Sequence, residues 1–166
     1  MKQEEFVDLI TQNQGIIHKV CNLYCNNGEE REDLYQEIVL QSWKSIGSFK
    51  GEAKFTTWLY RVALNTAISA LRKEKRKLNT ESITGADDRS LYIADDSAEE
   101  AEKRAQINQL FKAIGKLSKV DKALVMLYID DLRYEEIGEI LGISANYVAV
   151  KMNRIKSKLK NMMTAA

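Results

Sequence analysis

The 166-residue chain contains no proline, and only eight glycines interrupt it. A sequence without the strongest helix breaker, and with few residues that loosen the backbone, favours long helices over a loop-rich or all-β architecture. Histidine and cysteine are almost absent: His18, Cys21 and Cys25 are the full set. Their spacing puts them near one face of a helix, but a zinc site would lack its fourth ligand. Buried thiols beside a partly exposed imidazole are the expected reading, and a disulfide is not expected. No apolar run reaches membrane-spanning length and no signal-peptide pattern opens the chain, so a cytoplasmic protein without direct membrane insertion is expected. A glycine-rich phosphate loop and a metal-spaced cluster are also missing. Nothing therefore points to an enzyme, and no cofactor or metal is expected.

Net charge is close to absent too, at +1, but its distribution is uneven. Residues 1–43 carry three bases and eight acids, and residues 44–77 nine bases and two acids. Residues 78–102 then carry one base and eight acids, whereas 151–160 hold five bases and no acid. Two basic blocks separated by an acidic one suit two separate contacts with a polyanion; solvated basic faces are the plainer alternative.

Apolar periodicity predicts helices throughout. The first runs from Gln3 to Cys25, with Phe6, Leu9, Ile10, Ile17, Val20 and Leu23 inward. A second runs from Arg31 to Ile46, with Leu34, Ile38 and Val39 inside, and a third from Lys54 to Lys77. From Leu78 to about Ser97 the pattern fails in a polar, acidic stretch that reads as a flexible linker. Helices resume near Ala98, through Leu110, Phe111, Ile114 and Leu117, and then from Ser118 through Val120, Leu124, Leu127 and Tyr128. The expected fold is all-α: two small helical domains, 1–77 and 103–163, joined by an acidic linker over 78–102.

The last stretch, Tyr134 to Lys160, is the most specific. Ile137, Ile140 and Leu141 give one helix an apolar face, Gly138 is small at a close crossing, and Gly142 ends the helix. Ile143 tucks inward and Ser144 can cap the next helix. There Val148, Met152, Ile155 and Leu159 form one narrow stripe, while Lys151, Arg154, Lys156, Lys158 and Lys160 are the charged remainder. This is a helix-turn-helix, in which one face packs and the other enters the DNA major groove.

The third helix carries Arg61, Asn65, Ser69, Arg72 and Arg76 on one flank, away from the expected core face of Phe55, Leu59, Val62, Ala63, Thr66 and Ala70. Such a line suits base reading with phosphate anchoring; a solvent face is the alternative. Asn65 favours function, because asparagine inside a helix has a cost with no local gain. The preceding loop, GSFKGEAKF, places Phe49 and Lys50 at its foot. Phe49 suits either base stacking or a core plug. On the second helix Asp33, Gln36 and Glu37 share a face with Leu40 and Trp43. That acidic row ending in an aromatic fits a basic protein partner, or else a plain solvated surface.

Together, DLYQEIVLQSW, FKGEAKFTTWLYRVALNTAISALRK, the acidic linker and LSKVDKALVMLYIDDLRYEEIGEILGISANYVAVKMNRIKSKL resemble the extracytoplasmic-function (group IV) sigma factors of bacterial RNA polymerase. The resemblance covers nearly the whole chain. It implies a DNA-binding initiation factor whose partners are core RNA polymerase and promoter DNA, with an anti-sigma factor as a further expected partner. Asp33, Gln36, Glu37 and Trp43 fall where the family docks on the β′ clamp helices; a β flap contact is implied for the second domain. Phe49, Lys50, Arg61, Asn65, Ser69, Arg72 and Arg76 fall at the minus-ten contact, and Ser144, Asn146, Ala149, Val150, Asn153, Arg154 and Lys158 at the minus-thirty-five contact. Ala149 departs from the basic or polar reader of many relatives, so apolar contact with a thymine methyl is expected there. A stand-alone helix-turn-helix repressor or activator is the competing reading; it has no need of the acidic row paired with the Asn65 stripe.

Overall fold

The computed structural model describes residues 1–77 and 97–164; the expected linker up to position 96 lies outside the described residues, as do the side chains of 71–77, and with them Arg72 and Arg76. The described residues form helices and no strands, which is the all-α class expected. The chain divides into two compact units, Met1–Asp88 and Arg89–Ala166.

The first unit contains α1 (Gln3–Gln12), α2 (Gln14–Tyr24), α3 (Gly28–Ser45), a 3₁₀ turn (Ile46–Ser48) and α4 (Phe55–Lys77). The single helix expected from Gln3 to Cys25 is instead two. Asn13 leaves helical geometry at φ −116°, ψ 15°. Its side-chain amide donates to the Leu9 carbonyl at 2.9 Å, an alternative to the helical ladder that asparagine readily offers. The second helix begins about a turn earlier than expected because Asn27 caps it, its side-chain oxygen accepting from the Glu30 N–H at 2.8 Å.

α2, α3 and α4 pack mutually around Ile17, Val20, Cys21, Leu34, Ile38, Leu59, Ala63, Leu64 and Ala67, all buried. Each large side chain fully buried there contributes about 1.5–3 kcal/mol. The buried line of α4 lies rotated from the expected one. Tyr60, Leu64 and Ala67 are buried, whereas Val62, Thr66 and Ala70 are half-buried. Contact with two helices at once turns α4 so that its former centre becomes the wall of a cleft. Cys21 and Cys25 are buried free thiols, and burial pushes the Cys21 pKa up to about 11 against the opposing pull of Arg31. His18 stacks on Tyr35 at 4.9 Å between ring centroids, and among the described residues no group of His, Cys, Asp or Glu could hold a metal ion.

The second unit contains α5 (Ala98–Gly115), α6 (Lys119–Ile129), α7 (Tyr134–Leu141) and α8 (Ala145–Thr164). α5 opens at Ala98, where helices were expected to resume. The Ser118 hydroxyl caps α6 by accepting from the Asp121 N–H at 3.2 Å. The core is Ala113, Ile114, Leu117, Leu124, Leu127, Ile137, Ile140, Val148, Met152 and Ile155. Phe111, Val120 and Tyr128, expected on inward faces, remain 45%, 39% and 41% exposed. No helix among the described residues is long and apolar enough to cross a membrane.

Candidate nucleic-acid interface

In the second unit the turn between α7 and α8 is built by close backbone approach. A Cβ at Gly138 would stand 2.5 Å from the Ile143 carbonyl oxygen. Gly142 adopts φ 74°, ψ 33°, a left-handed conformation that glycine reaches without steric cost. The N–H groups of Gly142 and Ile143 both donate to the Gly138 carbonyl, at 2.8 and 3.0 Å. The Ser144 hydroxyl then accepts from the Tyr147 N–H at 3.1 Å and starts α8. These contacts fix the angle between α7 and α8.

α8 buries Val148, Met152 and Ile155 and exposes Asn146, Val150, Asn153 and Arg154 on its opposite side. Ala149 sits half-buried on the flank, whereas Val150 is 46% exposed amid the polar readers. The five bases do not act alike. Lys151 pairs with Asp121 at 3.8 Å, and the Lys156 ammonium lies 4.6 Å from the Tyr128 ring centroid. A side-chain hydrogen bond with Tyr128 holds the Lys156 pKa above its ordinary value. Those two contact side chains of α6, although Lys156 stays exposed, as do Arg154, Lys158 and Lys160. The result is a convex helix face with amide, apolar and cationic groups, the mix that reads base edges and grips phosphates.

In the first unit the geometry is concave. Arg61, Asn65 and Ser69 are exposed along α4, and Asn65 and Ser69 form one wall of a cleft of about 600 Å³. The opposite wall is Glu37, Gln41 and Ser45 of α3. Two polar rows, each with a residue on successive turns, thus line one cleft, with the half-buried Val62 and Ala70 as its apolar surfaces. Gln41 and Ser45 are absent from the sequence-based candidates. Their spacing from Glu37 was the visible signal; its meaning depends on which way α4 is rotated.

The loop before α4 is held by aromatic packing. Phe49 is half-buried, with its ring centroid 5.8 Å from Phe55 and 5.7 Å from Trp58. Phe49 thus braces the loop from within, while Lys50 is exposed beside it and Gly51 supplies the positive φ, 75°, of the turn.

On the outer side of α3, Asp33, Gln36 and Glu37 are exposed and run into Leu40 and Trp43, 44% and 40% exposed. Trp43 rests on Phe6 of α1, ring centroids 5.0 Å apart. Phe6, Val7, Tyr35, Val39 and Leu40 extend this into a mainly apolar groove of about 400 Å³. Glu37 stands at the boundary: it shares a face with Asp33 and Gln36, yet it lines the cleft and accepts from Gln41 at 2.9 Å.

Comparison with known proteins matches residues 9–77 to the family model described as Sigma-70 region 2. Residues 107–159 match Sigma-70, region 4. The chain is 29% identical to the ECF RNA polymerase sigma factor SigW of Bacillus subtilis, covering 97% of this chain and 90% of that protein. It is 30% identical to the ECF RNA polymerase sigma-E factor of Haemophilus influenzae, over 78% and 72% of the two chains. Among solved structures, the sigma factor RpoE from Bartonella quintana, in complex with the anti-sigma factor NepR, has a similar fold at TM-score 0.72 and 17% identity, covering 97% of this chain and 98% of that one. CnrH in complex with the cytosolic domain of CnrY follows at TM-score 0.67 and 16% identity, over 99% and 90%.

Proposed function

Because the chain belongs to the extracytoplasmic-function sigma factors of RNA polymerase, we propose a division of the work of promoter-specific transcription initiation between its two units. The protein is a DNA-binding sigma factor that directs core RNA polymerase to promoters. It acts as a non-enzymatic initiation factor, in the cytoplasm with the polymerase. Residues 1–77 are assigned to polymerase docking and the minus-ten element, and residues 103–163 to the minus-thirty-five element. Asp33, Gln36, Glu37 and Trp43 are assigned to the β′ clamp helices, where an acidic row ending in an exposed ring suits a basic helix. Lys50, Arg61, Asn65 and Ser69 are assigned to the opened minus-ten strand, with Arg72 and Arg76 as phosphate anchors and Phe49 as the brace of the loop. Asn146, Ala149, Val150, Asn153, Arg154 and Lys158 are assigned to the upstream duplex, with Ser144 as the cap that sets their register. Exposed Phe111 and Tyr128 are open to the β flap. A protein inhibitor of the anti-sigma kind is proposed by analogy with the complex of RpoE and NepR.

The observation that carries this division is the contrast between the concave cleft of the first unit and the convex face of α8. A cleft can hold a base only after it has left the stack, whereas a projecting helix fits an intact groove. Run-off transcription with purified core polymerase, with and without this protein, tests the reading. Discrete start sites should appear only with the protein; identical transcripts in its absence would overturn it.

A further inference from the structure

From the contacts that α6 makes with α8, and resting on the reading of α8 as the upstream-duplex helix, we infer that Asp121 restrains the grip of that helix on DNA. It engages Lys151 and keeps it off the phosphate backbone, which lowers the sequence-independent part of duplex binding.

Lys151, Arg154 and Lys158 follow one flank of α8 at spacings of three and four. Such a row of cations beside base-reading side chains is placed to neutralise successive phosphates. Lys151 stands first in it, nearest the N-terminal turns that meet the base edges. Yet Arg154 and Lys158 are exposed, whereas Lys151 is half-buried. Its ammonium lies 3.8 Å from the Asp121 carboxylate, the two side chains being 26% and 22% exposed, and 5.4 Å from the centroid of the Tyr147 ring. The first cation of the row is thus neutralised from within the protein.

Asp121 is the only acid between Gly115 and Ile129, a span that holds Lys116, Lys119 and Lys122. An ion pair this open to solvent adds little to stability. The cap of α6 does not need the carboxylate either, since the Ser118 hydroxyl accepts from the backbone N–H of Asp121 at 3.2 Å. Its larger effect falls on DNA: a lysine that pairs with Asp121 releases no counterion from a phosphate. Weak duplex binding by the second unit has a use. The two units are tethered, so each raises the effective concentration of the other at a promoter that offers both elements. Restrained affinity makes retention depend on both elements; a stronger phosphate grip would hold the chain on DNA that offers neither.

The test uses holoenzyme assembled from the full chain and core polymerase. The DNA is a duplex that carries the upstream element of a start site mapped by run-off transcription and ends before the minus-ten element. Binding is measured over about 50 to 200 mM salt. Asp121→Asn keeps the outline of the side chain and removes its charge. It should tighten binding roughly fivefold and steepen the salt dependence by about one. Adding Lys151→Met to Asp121→Asn should return affinity and slope to those of the unaltered protein. Unchanged or weaker binding by Asp121→Asn, as expected of a carboxylate that serves only the packing of α6, overturns the inference. So does a gain that survives Lys151→Met, which traces it to the acid's own repulsion. Binding by the double variant well below that of the unaltered protein overturns it too, because Lys151 would then already touch phosphate. In each of these cases the sigma-factor reading stands. Should the unaltered holoenzyme hold the upstream duplex no better than core polymerase alone, the reading of α8 falls and the inference with it.

Discussion

On the proposed division of work, the two units meet opposite recognition problems with similar material. In the first, three helices pack mutually and leave a polar cleft between α3 and α4. In the second, α8 packs on α5, α6 and α7 and joins α7 through a turn locked by backbone contact. The difference lies in which way the polar face is turned. The cleft has a shared core behind it, and its polar side chains project inward from two helices. The α8 face also has a core behind it, through Val148, Met152 and Ile155, but its polar side chains project outward from one helix. A cavity suits a separated strand and a ridge suits a closed duplex, so under the proposed assignment one chain would address the same promoter in both states.

The sharpest way to break this contrast is Gly138→Ala. A methyl group 2.5 Å from a backbone oxygen has no flexible neighbour to displace, and the expected loss is about 3 kcal/mol in the second unit. Circular dichroism during urea unfolding should show that transition moving to lower denaturant, with upstream duplex binding lost and the polymerase contact of the first unit kept. Asn65→Ala tests the cleft. Strand opening by holoenzyme, followed by permanganate reactivity of promoter thymines, should fall roughly 30-fold, about 2 kcal/mol; polymerase affinity should not change. Arg154→Ala is milder. Upstream duplex affinity should drop by about 1–2 kcal/mol, and a binding series in salt should show whether the slope falls by about one, as for a phosphate contact, or stays constant, as for a base contact.

The smallest effect belongs to the core behind the cleft. Ser42 is fully buried and its hydroxyl has no hydrogen-bond partner among the described residues. Ser42→Ala removes that unsatisfied group and should stabilise the first unit by about 1 kcal/mol. Its unfolding midpoint should rise while that of the second unit stays fixed.

Legibility in the sequence followed the range of the interactions. The helix-turn-helix was readable because its determinants are local: Gly138, Gly142 and Ser144 act on neighbours within a few residues. The exposed row of Arg61, Asn65 and Ser69 was readable because helical spacing alone puts it on one flank. The break at Asn13 was hidden, since neither proline nor glycine occupies that position and a side-chain bond to Leu9 makes the turn. The rotation of α4 was hidden because Tyr60, polar at its tip, is buried there, while apolar Val62 is left at the cleft. Gln41 could not be recognised without that rotation. Lys151 and Lys156 looked equivalent to Arg154, yet Asp121 and Tyr128 on α6 draw them away. For Phe111 the periodicity was right and the inference of burial was wrong: the side chain is 45% exposed.

The chain has two tryptophans, and both lie in the first unit. Trp43 is stacked on Phe6 at the outer edge of α3, and Trp58 is packed against Phe49 beneath the loop. One natural fluorophore thus lies beside the proposed docking row and the other beside the proposed strand-binding cleft, while the helix-turn-helix contains tyrosines but no tryptophan. With Trp43 or Trp58 replaced in turn by phenylalanine, the remaining indole's emission would follow polymerase attachment and strand capture as separate signals in real time, without any attached dye.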